Sequence, residues 1–512
     1  MILLWLILIP FIGGALCWQA ERIAGNRTPR WIAAITMTSV LLISIYLWMT
    51  GDFTLMRPGE APIWTIEYQA QWIPRLGISL HLGMDGLSLL LVMLTNLLGL
   101  MAVICSWREI DRNVGFFHLN LLWNLGGVVG VFLTLDLFLF FFLWEMMLVP
   151  MYFLIALWGH DAPGGKGKVY AATKFFIFTQ ASGLVMLVSI LALVLANYQQ
   201  TGAITFDYMD LLKTTLPPQA EWWIMLGFFV AFAVKMPTVP LHSWLPDAHS
   251  QAPTAGSVDL AGILLKTAAY GVLRFAIPLF PNASADFAPV AMWLGVAGVL
   301  YGGFLTFAQN DIKRLVAYSS ISHMGFVLIG CYAGTTQALQ GVVIQMLAHG
   351  ISAGGLFILS GEIYERLHTR DMRKMGGLWA RFPYLPPITL FFAAASLGLP
   401  GLGNFVGEFL ILVGTWGIDP VLTVVASGGL ILAAVYSLMM LQRTMHGPPE
   451  EGAPTLPDLN KRELAMMLSL MLILIWLGFY PQPFLDTSAA TMEAVHAAYR
   501  GVTPAAGEAG VQ

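Results

Sequence analysis

Charge is scarce in this chain: Asp, Glu, Lys and Arg together make up 11% of its 512 residues, and hydrophobic residues make up 57%. Mean hydropathy is +0.73. Such a balance excludes an ordinary soluble enzyme, and a net charge of -4 gives no basic footprint for a nucleic-acid partner. Cysteine is scarcer still. Cys17, Cys105 and Cys331 lie far apart in or beside apolar runs, with no Cys-x-x-Cys spacing for an iron–sulfur cluster or a zinc site, so buried structural thiols are expected. A dinucleotide fingerprint is missing too, since the glycines of Gly401-Leu402-Gly403-Asn404-Phe405-Val406-Gly407 miss the Gly-x-Gly-x-x-Gly spacing by one. No nucleotide, flavin, iron–sulfur or haem site is recognisable. Long polar stretches are absent beyond loops near 51 to 84, 197 to 221 and 443 to 462, which leaves room for one membrane domain and no soluble one.

What the chain has in abundance is apolar runs. A helix needs about 20 apolar residues to span the hydrocarbon core. Fourteen such segments are predicted, near 2–19, 31–50, 85–107, 114–134, 136–159, 171–196, 222–250, 254–278, 289–308, 312–332, 337–365, 384–416, 420–442 and 463–481. The expected fold is therefore an all-α polytopic membrane protein. The first segment has no basic stretch before it and no small-residue cleavage site, and reads as a retained helix rather than a removable signal.

Cations mark the sides. Loops after odd-numbered spans carry most of them, among them Arg22, Arg27, Arg30, Arg108, Arg112, Lys166, Lys313, Arg314, Arg366, Arg370 and Arg462. The opposite side has only Arg57, Arg75, Lys213, Arg274 and Arg500. By the positive-inside rule the first set is cytoplasmic, and both termini face away from the cytoplasm.

Two spans carry helix breakers in corresponding places. Span seven runs into Lys235-Met236-Pro237-Thr238-Val239-Pro240, whose prolines remove backbone donors. Span twelve contains Leu397-Gly398-Leu399-Pro400-Gly401-Leu402-Gly403 before Glu408. The breaks lie five spans apart, and because five is odd a repeat with that offset is inverted across the membrane. Paired interrupted helices point to a transport site, because irregular backbone at membrane depth must line a cavity or be buried in protein. A purely structural kink is the competing reading, weakened here because each break adjoins an ionisable residue.

Those ionisable residues are the second signal, since one at the bilayer centre costs about 2.5–3.5 kcal/mol even on the lenient insertion scale. Glu145, in Leu143-Trp144-Glu145-Met146, has no charge within reach on its own helix, and Lys235 is its natural partner. A lysine suits a proton carrier because desolvation lets an amine release its proton, whereas a guanidinium stays charged. A static salt bridge is the plainer alternative. Lys266 sits in span eight with Asp259 seven residues before it, nearly two helical turns on one face. Lys266 is a relay candidate, and Asp259 is either an uptake group or a helix-end carboxylate. His323 and His349 fall near the middle of their spans, where an imidazole accepts on one nitrogen and donates from the other, or simply packs as a hydrogen-bonded residue. Glu408 follows the second break, placed to deliver protons to the far side.

The motifs Val234-Lys235-Met236-Pro237-Thr238-Val239-Pro240-Leu241-His242-Ser243-Trp244-Leu245-Pro246-Asp247-Ala248-His249, Gln251-Ala252-Pro253-Thr254-Ala255-Gly256-Ser257 and Asp311-Ile312-Lys313-Arg314-Leu315-Val316-Ala317-Tyr318-Ser319-Ser320-Ile321-Ser322-His323-Met324-Gly325 resemble the antiporter-like subunits of respiratory complex I and of multisubunit sodium/proton antiporters. Two features single out one branch of that family: Glu408 stands where two sister subunits typically have lysine, and no long lateral helix follows span fourteen. The resemblance implies helices 1–3 within 1–113, two inverted five-helix repeats at 114–280 (spans four to eight) and 281–445 (spans nine to thirteen), and span fourteen with a tail in 446–512. It implies proton pumping in which Glu145 and Lys235 form the coupling ion pair, Lys266 the central relay, and His323, His349 and Glu408 the connecting and exit groups. NADH, FMN, iron–sulfur clusters and quinone would belong to other subunits, with no cofactor or metal bound by this chain. The expected partners are the other membrane subunits, the sister antiporter-like ones above all, and lipids, in a bacterial inner membrane. A subunit of a cation/proton antiporter and a non-pumping assembly scaffold are the rival functions.

Overall fold

The structure is a computed structural model that describes residues 1–53, 64–161, 166–448 and 456–500. Its helices in chain order are α1 (Ile2–Ala24), α2 (Thr28–Thr50), α3 (Gly86–Glu109), α4 (Val114–Leu133), α5 (Leu137–Met146), α6 (Leu148–Trp158), α7 (Lys168–Thr201), α8 (Tyr208–Leu211), α9 (Pro218–Lys235), α10 (Trp244–Gln251), α11 (Thr254–Asp259), α12 (Leu265–Gly271), α13 (Ile277–Leu279), α14 (Pro281–Phe307), α15 (Ile312–Ala333), α16 (Thr336–Leu367), α17 (Leu378–Arg381), α18 (Leu385–Ser396), α19 (Gly403–Trp416), α20 (Pro420–Met445), α21 (Lys461–Phe479) and α22 (Gln482–Arg500). Among the described residues twelve helical segments are long and apolar enough to cross a membrane, counting α5 with α6 and α11 through α13 as one each. Spans seven and twelve are absent from that set because they are the broken ones.

Side-chain caps start many of these helices. Asp85, Asp136, Asp311, Thr335, Asp419 and Asn460 accept from the first free backbone amides of α3, α5, α15, α16, α20 and α21. Packing then sorts inside from outside. The span Thr254–Leu279 and α16 are 100% buried over their apolar windows, whereas α2 and α21 are only 33% buried. Span eight and α16 thus form the protein-enclosed axis, and α2 and α21 turn apolar faces outward.

The two breaks are built differently. α9 ends at Lys235, and the chain returns so that the Trp244 indole N–H donates to the Val234 carbonyl at 2.8 Å, satisfying a backbone group the prolines leave free. Between α18 and α19 the backbone turns through Gly398 (φ 79°) and Gly401 (φ 94°), conformations that favour glycine.

Several expectations need correction. The loop expected over 51–84 contains an antiparallel hairpin of β1 (Ile66–Ile73) and β2 (Ile78–Met84), with Tyr68 opposite Leu82. The tail expected after span fourteen forms α22, which packs back on α3 and α16. Span eight is not a plain helix: π turns at Leu260–Leu264 and Val272–Ala276 flank α12. Three cations assigned to loops, Lys313, Arg274 and Arg370, are buried, and Arg370 donates to the Ser250 carbonyl. Lys313 is 2% exposed, and its ammonium donates to the Ala252 carbonyl at 2.9 Å. Arg274 pairs with Asp85 inside the protein, and Asp85 also accepts from Thr491 of α22 at 2.9 Å. Polar partners from other helices make burial of these cations tolerable, which no single-segment pattern reveals. The three cysteines are free and buried, as expected.

Candidate functional site

Glu145 stands at the C-terminal end of α5, where Pro150 lacks the N–H that would continue the ladder into α6. Both of its carboxylate oxygens are buried without a close hydrogen bond, and Gln180 of α7 is the polar side chain beside them. The side chain packs on Gly183 of α7, where a Cβ would fall 1.7 Å from Oε1, so any side chain there would displace the carboxylate. Lys235 is 1% exposed, and its ammonium also has no hydrogen-bond partner.

The expected Glu145–Lys235 contact pair is therefore not formed. Lys235 Nζ instead lies over the Trp144 ring, 3.8 Å from its centroid. Glu145, and after it Asp259, are the carboxylates that act on this ammonium electrostatically. The indole face takes the contact position because Trp144 is fully buried beside Phe140 and Phe232, which fix its ring.

Asp259 and Lys266 do not share a face either. The intervening π turn takes an extra residue per turn, and the two side chains diverge: Asp259 accepts from the Asn124 amide of α4, while Lys266 reaches α16. Asp259 Oδ1 has no partner. Lys266 donates to the Ala261 carbonyl at 2.5 Å and lies 2.7 Å from His349 Nδ1.

From Lys266 onward the sequence candidates are brought together. The His349 and His323 rings stand 5.4 Å apart, centroid to centroid. His323 Nδ1 is 2.7 Å from Glu408 Oε1, and its Nε2 is 3.2 Å from Ser396 Oγ and 3.3 Å from the Tyr436 hydroxyl. Glu408 Oε1 also accepts from Gln345 Nε2 at 2.8 Å. Glu408 Oε2 faces the second break, where a Cβ on Gly398 would stand 3.4 Å away. Lys266, His349, His323 and Glu408 are each no more than 3% exposed, so they form one enclosed polar file.

Sequence reasoning missed the residues that complete this file. Gln345 of α16 holds Glu408 and Tyr436 of α20 reaches His323, while Asn124 of α4 holds Asp259 beside the file; each is a polar residue at membrane depth, a signal the sequence did carry. His249 stacks on Phe357 at 4.5 Å, and Lys313 and Lys266 both act on it electrostatically, which puts it between the axis and the α15 start. There Glu109 accepts from the Thr254 amide at 3.0 Å and hydroxyl at 3.1 Å and faces Lys313. Among the described residues no group of three or more His, Cys, Asp or Glu is arranged to hold a metal ion.

Residues 134–433 match the family described as NADH:quinone oxidoreductase/Mrp antiporter, TM. NADH-quinone oxidoreductase subunit M of Pseudomonas aeruginosa is 68% identical over 97% of each chain. The protein of that name from Escherichia coli K12 is 64% identical over 95% of this chain and 96% of its own. Among solved structures, a chain of respiratory complex I from Thermus thermophilus superposes with a TM-score of 0.86 at 31% identity, covering 97% of this chain and 99% of that one. A chain of the Mrp complex from Dietzia shares the fold, with a TM-score of 0.79 at 23% identity over 96% of this chain and 52% of that one. The chain belongs to the membrane-subunit family common to NADH:quinone oxidoreductases and Mrp antiporters, in its subunit M branch.

Proposed function

We propose that this chain is the antiporter-like, proton-translocating subunit M of a bacterial NADH:quinone oxidoreductase, in the inner membrane beside the other membrane subunits of the complex. The observation that carries this reading is the buried file Lys266–His349–His323–Glu408, two of whose three steps are direct contacts of 2.7 Å. Such groups are costly in a membrane interior, are tolerated there when they pair inside the bundle, and mark proton and ion routes. Relatives named as subunit M at 68% and 64% identity support the respiratory complex over the antiporter alternative.

In this reading a proton on Lys266 Nζ passes to His349 Nδ1, and the unpartnered His349 Nε2 is the open end of the next step. The gap to His323 is crossed by ring motion or a bridging water. His323 then hands its proton from Nδ1 to Glu408 Oε1, and Oε2 releases it at the second break. Glu145 acts on Lys235 through charge, so displacement of either changes how readily the ammonium releases its proton. His249, Lys313 and Glu109 supply the branch toward the cytoplasmic side, and Asp259 is an uptake group held by Asn124. Residues 114–280 and 281–445 act as inverted halves, with helices 1–3 within 1–113 and the last span in 446–512, and both termini lie on the periplasmic side. Redox cofactors and quinone belong to other subunits.

The test is NADH-driven proton uptake into vesicles holding the assembled complex with His349→Leu or Glu408→Gln. Pumping per electron falls at least several-fold while complex assembly is kept. Unchanged pumping per electron contradicts the reading and favours a scaffold, and sodium transport by the reconstituted protein favours the antiporter.

A further inference from the structure

α2, α3 and α21 form an outer face that the proton file does not use. Two cavities lie there end to end, about 600 Å³ and about 420 Å³. α3 forms the floor, and α2 and α21 both pack on it as walls. On α2 the lining runs Trp31, Ala34 and Thr38 in the first cavity, then Leu41, Ile45 and Trp48 in the second. That spacing of three and four is one unbroken helical stripe. Matching stripes run from Trp107 to Leu90 on α3 and from Arg462 to Leu477 on α21. The two cavities are thus one groove, about 26 Å long at 1.5 Å per residue of α2.

Its ends differ. At one end Trp48, Trp476 and Phe484 close it, with ring centroids 4.9 to 5.9 Å apart. At the other, Trp31 and Trp107 meet edge to face at 5.0 Å, an aromatic pair of the kind that sits at headgroup depth. Arg462 lines the groove there, and Arg30 immediately precedes the lining residue Trp31 on α2. The Nε of each arginine is buried and has no hydrogen-bond partner. Glu463, the adjacent carboxylate, lies 3.3 Å from Arg462 Nη2 but already accepts from Arg366 at 2.8 Å and from Asn460. Arg30 also donates from Nη2 to the Ile110 carbonyl at 2.7 Å, so Arg462 is the cation that faces the groove, and a guanidinium at one end of an apolar groove suits an acceptor-rich anion.

We propose that this groove binds an anionic phospholipid, its phosphate on Arg462 and its acyl chains running along the cation-bearing cavity into the second one. A transmembrane helix is the other class of occupant. Packed membrane helices meet through small residues; the first cavity carries four, Ala34, Thr38, Ala465 and Ser469, but the second is lined by Leu, Ile, Met, Trp and Phe alone, and the positive charge at a single end fits a headgroup. The inference stands apart from the proton-pumping reading and can fail alone.

The experiment places the assembled complex in nanodiscs carrying photoactivatable phosphatidylglycerol or phosphatidylcholine and maps the cross-linked peptides. Phosphatidylglycerol is expected on the peptides holding Trp31–Thr38 and Arg462–Ser469, with at least fivefold preference over phosphatidylcholine. Arg462→Gln erases that preference, and Ala465→Trp, which fills the groove, removes capture of both lipids. Equal capture of the two lipids by the wild type overturns the proposal, as does cross-linking of these peptides to another polypeptide in place of lipid. The wild-type comparison and Ala465→Trp decide the matter should the arginine variant not assemble.

Discussion

Lys235 and Trp144 are in contact: the ammonium stands 3.8 Å from the centre of the indole ring, on the residue just before Glu145. The charge of this lysine is held by a π face and by carboxylates acting at a distance rather than by a closed ion pair. A closed buried pair would lock both groups, since breaking one costs about 3–5 kcal/mol. An open arrangement lets small movements of Glu145 change the state of Lys235.

Trp144 is then part of the machinery. A desolvated cation–π contact contributes about 2 kcal/mol, so Trp144→Leu should lower pumping per electron several-fold. Trp144→Phe, which keeps a weaker π face, should retain most of it. Dye quenching in vesicles, normalised to NADH oxidation, reads both.

Gly183 makes room for the Glu145 carboxylate, and a Cβ there would stand 1.7 Å from Oε1. Gly183→Ala should push the carboxylate aside at a cost of about 1–3 kcal/mol, the usual range for overpacking. Thermal unfolding of the purified complex should register that loss, and pumping should fall with assembly preserved.

Arg274 joins span eight to the C-terminal helix through Asp85 and Thr491, and it also lies over the Trp64 ring at 4.7 Å. Replacing it leaves Asp85 as an uncompensated buried charge. Arg274→Met should cost about 3–5 kcal/mol and free α22, visible as faster proteolysis within Gln482–Tyr499.

The hairpin carries a pH-dependent clasp. His81 Nδ1 is 2.5 Å from Asp207 and Nε2 is 2.6 Å from Glu67. Burial disfavours the charged imidazole, but the hydrogen bonds and charges of Asp207 and Glu67 outweigh it and raise the His81 pKa above its ordinary value. A raised folded-state pKa gives stability that is complete below the unfolded value of about 6.5 and is lost as pH climbs through the raised one. Hydrogen exchange of the β2 amides should therefore separate His81→Gln from the wild type at mildly acid pH and bring them together in alkali.

How far the sequence led can be judged from these residues. Spans were legible because twenty apolar residues in a row admit few other structures, and the breaks were legible because proline and glycine act locally at Pro237, Pro240, Gly398 and Gly401. Lys266, His349, His323 and Glu408 were each visible as polar residues at membrane depth, yet their order of contact was not, because it depends on how α12, α16, α15 and α19 meet. The Glu145–Lys235 contact was misjudged for the same reason, since nothing local says that the Trp144 ring occupies the place beside the lysine. The π turns of span eight escaped because a helical pattern counted at 3.6 residues per turn cannot register a wider turn. The hairpin and α22 were missed because short amphipathic elements beside a membrane look like polar loops in a scan for long apolar runs.

The central claim is that Lys235 gives up a proton in each cycle, and Lys235→Arg tests it most directly, because a guanidinium keeps the charge and the cation–π contact but stays protonated. The measurement is protons moved per NADH oxidised in vesicles of the assembled variant complex. Normal assembly with pumping per electron reduced several-fold is the predicted result. Full pumping with arginine at position 235 would contradict the account.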